Sequence, residues 1–203
     1  MTITSDKWGY LRETSEEAKN LKLSSKTKMH KTGLDEYLKA IFPEVNDWVH
    51  DKVIPSAARR LRPDYRSEEL KLIVEFNGLQ HYTSPNNILR DKTKEEFFTG
   101  LGYKVVVIPY FIQLTNKAAK ILFDVSVSEP LFDENIPSLL SEDKCTPAFL
   151  CPLGIKRMAE DFIKFPEQYE ININSMKEED LILTSWDLLE REYNNLKSGK
   201  AGV

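Results

Sequence analysis

The stretch Arg62–Tyr82, RPDYRSEELKLIVEFNGLQHY, decides the fold. A proline-aspartate pair stands before the polar run Arg66–Glu69, and an apolar segment follows it. The economical reading is a β-hairpin, with strands Leu61–Tyr65 and Leu70–Asn77 joined by that run. Strand side chains alternate, so Leu72, Val74 and Phe76 share one face while Ile73, Glu75 and Asn77 share the other. Gly78 ends the strand. Glu75 is the anomaly, because an ionised carboxylate withdrawn from water without partners is costly. A positive group is therefore expected between Asp64 and Glu75. The candidates are an arginine, a lysine or a divalent metal.

Downstream, SPNNILRDKTKEEFFTGLGYKVVVIPYF (Ser84–Phe111) reads as a helix from about Asn87 to Leu101, a stop at Gly102, and the apolar strand Tyr103–Ile108. Strand, crossover helix and strand make a βαβ unit, which places Tyr103–Ile108 parallel to Leu70–Asn77. A further helix over Thr115–Phe123 packs on the sheet. Upstream, WVHDKVIPSA (Trp48–Ala57) reads as a first strand interrupted near Pro55. Before it, Thr32 caps a helix with Asp35 three residues on, Leu34, Leu38 and Ile41 at helical spacing, and Pro43 at or just past its end.

The flanks differ in character. Residues 1–31 form a polar extension, with a short helical piece at Ser15–Asn20 and a basic end, SSKTKMHK. Such a run is commonly a solvated segment; phosphate contact through Lys26, Lys28 and Lys31 is the other reading. Residues 32–128 form the α/β core. Residues 129–197 turn loop- and proline-rich and then mostly helical, through GIKRMAEDFIKF, NINSM and WDLLEREYNNL, with a short strand near Leu181–Leu183 and Trp186 read as core. Residues 198–203 read as a frayed tail.

Bulk properties narrow the function classes. At 203 residues, 41% hydrophobic and 30% charged, the chain reads as an ordinary globular protein. Its start lacks the apolar run of a secretory signal, and no stretch approaches the roughly 18 apolar residues of a membrane span. Cys145 and Cys151 have no Cys or His partners at zinc spacing, so they read as reduced packing residues of a cytoplasmic protein. A net charge of −4 argues against binding nucleic acid over the whole surface and leaves room for a local basic face.

In this predicted context, Glu36 on the leading helix, Pro63-Asp64 at the hairpin, Glu75-Phe76-Asn77-Gly78, His81, Arg90-Asp91 on the crossover helix and the closing LGYKVVVIPY carry a resemblance. Over Thr32–Phe111 the chain resembles the PD-(D/E)xK nuclease superfamily, in the branch similar to very-short-patch repair endonucleases and related homing endonucleases. The resemblance implies a restriction-endonuclease-like core, a mixed β-sheet flanked by helices, with a mostly helical C-terminal addition. It implies magnesium, with manganese as an alternative, bound by Asp64, Glu75 and the Phe76 carbonyl. Glu36 or Asp91 would border the site. The chemistry fits, since magnesium prefers oxygen ligands and keeps several waters, and a bound metal polarises phosphate and activates water.

One position departs from the pattern. The superfamily lysine falls at position 77, where this chain has Asn77, which carries no charge. In the branch resembled here a nearby histidine serves instead. His81 suits that role, because an imidazole with an ordinary pKa of about 6.5 exchanges protons near neutrality. Gln80 is placed to orient a water. Arg59, Arg60 and Arg62 offer planar forks to the flanking phosphates.

Each residue also has a bland reading. Asp64 is a common turn starter after proline, Glu75 pairs with Arg62 or Lys71, His81 is a loop residue, and the arginines guard an edge strand. Taken together, the set leads to the expectation of a magnesium-dependent endonuclease acting on double-stranded DNA, with a homodimer compatible and no membrane partner. The rivals are an inactive nuclease-fold binding or regulatory module, an RNase, and a structure-specific nickase.

Overall fold

A computed structural model of the chain describes residues 34–55, 57–131, 150–178 and 184–199. The expected features at Ser15–Asn20, Lys26, Lys28, Lys31, Thr32, Cys145 and Leu181–Leu183 lie outside the described residues. Among the described residues, four strands form one sheet in the order β1 (Val49–His50), β2 (Tyr65–Ser67), β3 (Leu72–Asn77) and β4 (Lys104–Pro109). The first two pairings are antiparallel and the last is parallel, with Val74 opposite both Tyr65 and Val106. The hairpin and the parallel crossover are thus as the sequence leads one to expect.

The crossover helix spans Pro85–Gly100. Proline at its first position wastes no hydrogen bond, because that N–H has no helical partner anyway. Gly102 ends it with a φ of 86°, a left-handed conformation that glycine adopts without strain. In chain order the helices among the described residues are α1 (Leu34–Ile41), α2 (Gln80–Thr83), α3 (Pro85–Gly100), α4 (Asn116–Phe123), α5 (Pro152–Ile163), α6 (Pro166–Lys177) and α7 (Trp186–Lys197). Thr115 caps α4 by accepting from the Ala118 N–H. None of the described helices is long and apolar enough to cross a membrane.

β3 starts at Leu72 rather than Leu70, β4 spans Lys104–Pro109 rather than Tyr103–Ile108, and α3 starts at Pro85 rather than Asn87; the larger departures from the local reading are at β2 and β1. The hairpin turn lies later, so β2 is Tyr65–Ser67 rather than Leu61–Tyr65. Asp47 causes this: its carboxylate accepts from Ser67 Oγ at 2.6 Å and from the Glu68 and Glu69 N–H groups at 2.8 and 2.9 Å. That clamp builds the turn from outside, and Lys71 closes it at a φ of 48°. Arg66, read as part of the turn, is instead a buried strand residue paired with Glu68. The expected strand Trp48–Ala57 shrinks to Val49–His50, because Asp51 has a φ of 49° and leaves the extended conformation well before Pro55.

The sheet is covered unequally. On one face Leu72, Val74 and Phe76 join α1, α4 and the C-terminal helices in one large apolar cluster. On the other face Ile73 meets only a small cluster, with Ile54, Phe98 and Tyr103. Phe98 is the one buried side chain recorded for α3. Asp91, Lys94, Glu95 and Phe98 recur at helical spacing, so this stripe turns to the sheet. Beneath α3 the apolar core gives way to ionisable groups, and Glu75 lies there. Trp186 is half-buried against the large cluster, in keeping with a packing role.

Candidate functional site

Asp64 occupies the bend before β2, and its Oδ2 accepts from the Phe76 N–H at 2.8 Å. This bond ties the turn entering β2 to the C-terminal end of β3, which brings the Asp64 carboxylate beside Glu75. The strand alternation points Glu75 toward α3, where its Oε2 accepts from Lys94 Nζ at 2.8 Å. The positive partner demanded by Glu75 is therefore Lys94. Neither partner considered from the sequence is used, since Lys71 pairs with Glu68 and Arg62 with Asp51.

The pairing is incomplete. Glu75 Oε1 is buried with no hydrogen-bond partner, and so is Asn77 Nδ2, two residues along the same strand face. Burial pushes the Glu75 carboxyl up to about 7; the Lys94 ammonium opposes this, while the nearby Asp64 carboxylate adds to it. Glu75, Asn77, His81, Asp91, Lys94 and Arg157 line a cavity of about 30 Å³. A water needs roughly 10–15 Å³ of such space and two to four polar partners, so this cavity suits a water or a small ion.

The opposite wall is a second charged group. His81, on the single-turn helix α2, has Nδ1 at 2.7 Å from Asp91 Oδ2. The same oxygen accepts from Arg157 Nη1 at 2.8 Å, and this nitrogen also donates to the His81 carbonyl at 3.0 Å. Burial works to raise the Asp91 carboxyl, but the hydrogen bonds from His81 and Arg157 prevail and hold it below the usual carboxylate range.

Asp64, Glu75, Asn77, His81 and Asp91, all singled out in the sequence, thus gather at one end of β3. Phe76 belongs through its main chain, whose N–H is held by Asp64. Gln80 does not line the cavity: it is exposed, and its carbonyl accepts from the Asn87 side chain. Arg59, Arg60 and Arg62 are exposed and also stand outside the lining, Arg59 lying over the Phe97 ring on α3 at 5.7 Å. Glu36 is placed on α1, but its side chain lies outside the described residues. Among the described residues, no three His, Cys, Asp or Glu side chains converge as a group that could hold a metal ion.

Arg157 is the residue that the sequence reading missed. It stands 66 positions beyond Asp91, in a region read as an addition to the core, and no local pattern marks it. Lys94 had a faint signal, because it sits one helical turn after Asp91 and one before Phe98. No protein-family model, curated protein or solved structure matches the chain.

Proposed function

We propose that this chain is a divalent-cation-dependent DNA endonuclease with a restriction-endonuclease-like core, resembling the PD-(D/E)xK superfamily, and that phosphodiester hydrolysis takes place at Asp64 and Glu75. The observation that carries this reading is the state of Glu75: a partly buried carboxylate beside Asp64, with one oxygen on an ammonium and the other buried with no partner. A group so arranged gains most from a cation. The donors are carboxylate oxygens, which suit magnesium or manganese, and magnesium sites need only one or two carboxylates because water and phosphate oxygens complete the shell. Asp64 and Glu75 would hold the ion, which when bound polarises a phosphate and lowers the pKa of a water.

The chain's own side chains supply the rest. Lys94 brings from α3 the positive charge that position 77 lacks, and an ammonium beside Glu75 can steady charge that develops on a phosphate. Asn77 contributes an amide donor to the cavity, suited to holding a water. With Nδ1 engaged by Asp91, the imidazole of His81 keeps Nε2 to accept or return a proton. Arg59, Arg60 and Arg62 remain exposed for phosphate contacts beyond the cleaved bond.

The rival reading is a nuclease-fold binding module without catalysis, and the lack of a three-ligand metal group among the described residues favours it. Incubation with supercoiled plasmid and with labelled duplex, single-stranded and RNA oligonucleotides separates the two. The proposal expects cleavage of duplex DNA in magnesium or manganese, none in EDTA, and none by Asp64→Asn. Binding without cleavage in every metal overturns it in favour of the rival.

A further inference from the structure

We infer that Arg157 is a positioning residue of this site: from the C-terminal helical region it holds the Asp91–His81 pair, setting the orientation and tautomer of the imidazole. The inference deepens the proposed function and, for the role of His81, rests on it. The hydrogen-bond geometry stands independently.

His81 stands on α2, Gln80–Thr83. A helix of four residues has no intrinsic stability in water, so something else must hold His81 in place. That support is α5. Its Gly154 lies so close that a Cβ there would fall 1.6 Å from the Tyr82 carbonyl oxygen. One turn before Gly154, Cys151 Sγ reaches the same carbonyl at 3.5 Å. One turn after Arg157, Asp161 Oδ2 accepts from the Tyr82 hydroxyl at 2.8 Å. Cys151, Gly154, Arg157 and Asp161 thus form one stripe of α5 laid along His81 and Tyr82.

Within this stripe Arg157 alone reaches past α2 to α3. Its guanidinium is fixed at three points: the His81 carbonyl, Asp91 Oδ2, and the face of the Tyr82 ring, 5.2 Å from the centroid. Asp91 Oδ2 therefore has two donors, His81 and Arg157, and the arginine takes part of the carboxylate's charge. The other ionisable groups facing the cavity with His81 are Glu75 from β3 and Lys94 and Glu95 from α3. Without Arg157, the His81 carbonyl loses its tie to α5 and Asp91 loses its second donor, so the ring and its Nδ1–H bond are no longer fixed from α5.

The test uses the full chain with Arg157→Met, which keeps the stem over Tyr82, and Arg157→Gln, which keeps a donor for the His81 carbonyl. Long-range nitrogen NMR reports the His81 tautomer without reference to any activity, and three histidines in the chain make assignment direct. The expected result is one Nδ1–H tautomer in the wild type, where Nδ1 faces Asp91, and a mixture of tautomers in both variants. The cleavage rate should fall in both variants, with substrate KM unchanged. A folded variant, verified by near-UV circular dichroism, in which the tautomer matches the wild type makes Arg157 a structural strut and overturns the inference. If the His81 signals move while the wild type cleaves no nucleic acid, the positioning role stands and the nuclease reading falls.

Discussion

Glu75→Gln removes a charge and barely changes shape, and the state of Glu75 gives the expected effect a size. Burial lifts this carboxyl from its ordinary 4.5 to about 7. A group whose pKa is higher in the folded than in the unfolded chain favours folding only while protonated. Its contribution is complete below about 4.5 and is lost as pH rises through about 7. At about 1.36 kcal/mol per pH unit, the wild type at pH 8 bears a cost of about 3 kcal/mol that it escapes in acid. Glutamine never bears it. Against this, the variant leaves Lys94 without its partner, but that side chain is 27% exposed and can turn toward water. The expected net gain at pH 8 is about 1–3 kcal/mol, or about 2–4 °C in Tm per kcal/mol for a chain of this size, and it vanishes toward pH 4.5. Urea denaturation of both proteins from pH 4.5 to 8.5, without divalent metal, measures the difference directly. A gain that does not change with pH, or a variant less stable than wild type at pH 8, refutes the placement of Glu75 as an under-compensated buried acid.

Three further outcomes follow from the same geometry. Lys94→Met should slow metal-dependent cleavage by roughly 10²–10³-fold in single-turnover assays, the usual loss for one electrostatic stabiliser; an unchanged rate would remove Lys94 from the site. His81→Ala should cut the rate by roughly 10²–10⁴-fold while calorimetric magnesium affinity stays the same, because magnesium prefers oxygen to imidazole nitrogen. Gly154→Ala places a methyl on the Tyr82 carbonyl and should destabilise the fold by about 1–3 kcal/mol in denaturant titrations; a neutral effect would mean that α5 does not lie against α2.

The parts of the fold visible in the sequence are those fixed by local pattern. The alternation in Leu72–Asn77, the glycine after the crossover helix and the apolar run of β4 gave the parallel pair, because strand period and helix stop are properties of neighbouring residues. The hairpin register was not visible, because Asp47, far upstream, builds the turn through a carboxylate that no local rule connects to it. The site divides the same way. Asp64, Glu75, Asn77 and His81 stand close together in sequence around one strand. Lys94 becomes legible only once α3 is laid on the sheet and its Asp91–Lys94–Phe98 stripe faces Glu75. Arg157 depends on α5 docking against α2, a tertiary contact of which Gly154 is the one sequence trace, and glycines have many other causes.

The central claim is that Asp64 and Glu75 together form a cation site, and locating an ion tests it most directly. Crystals of the wild-type protein grown with manganese, measured at a wavelength where manganese scatters anomalously, would show where the ion binds. The expected result is an anomalous peak within bonding distance of both the Asp64 and Glu75 carboxylates, absent from Asp64→Asn crystals grown the same way. No peak there, or manganese only on surface carboxylates elsewhere, would contradict it.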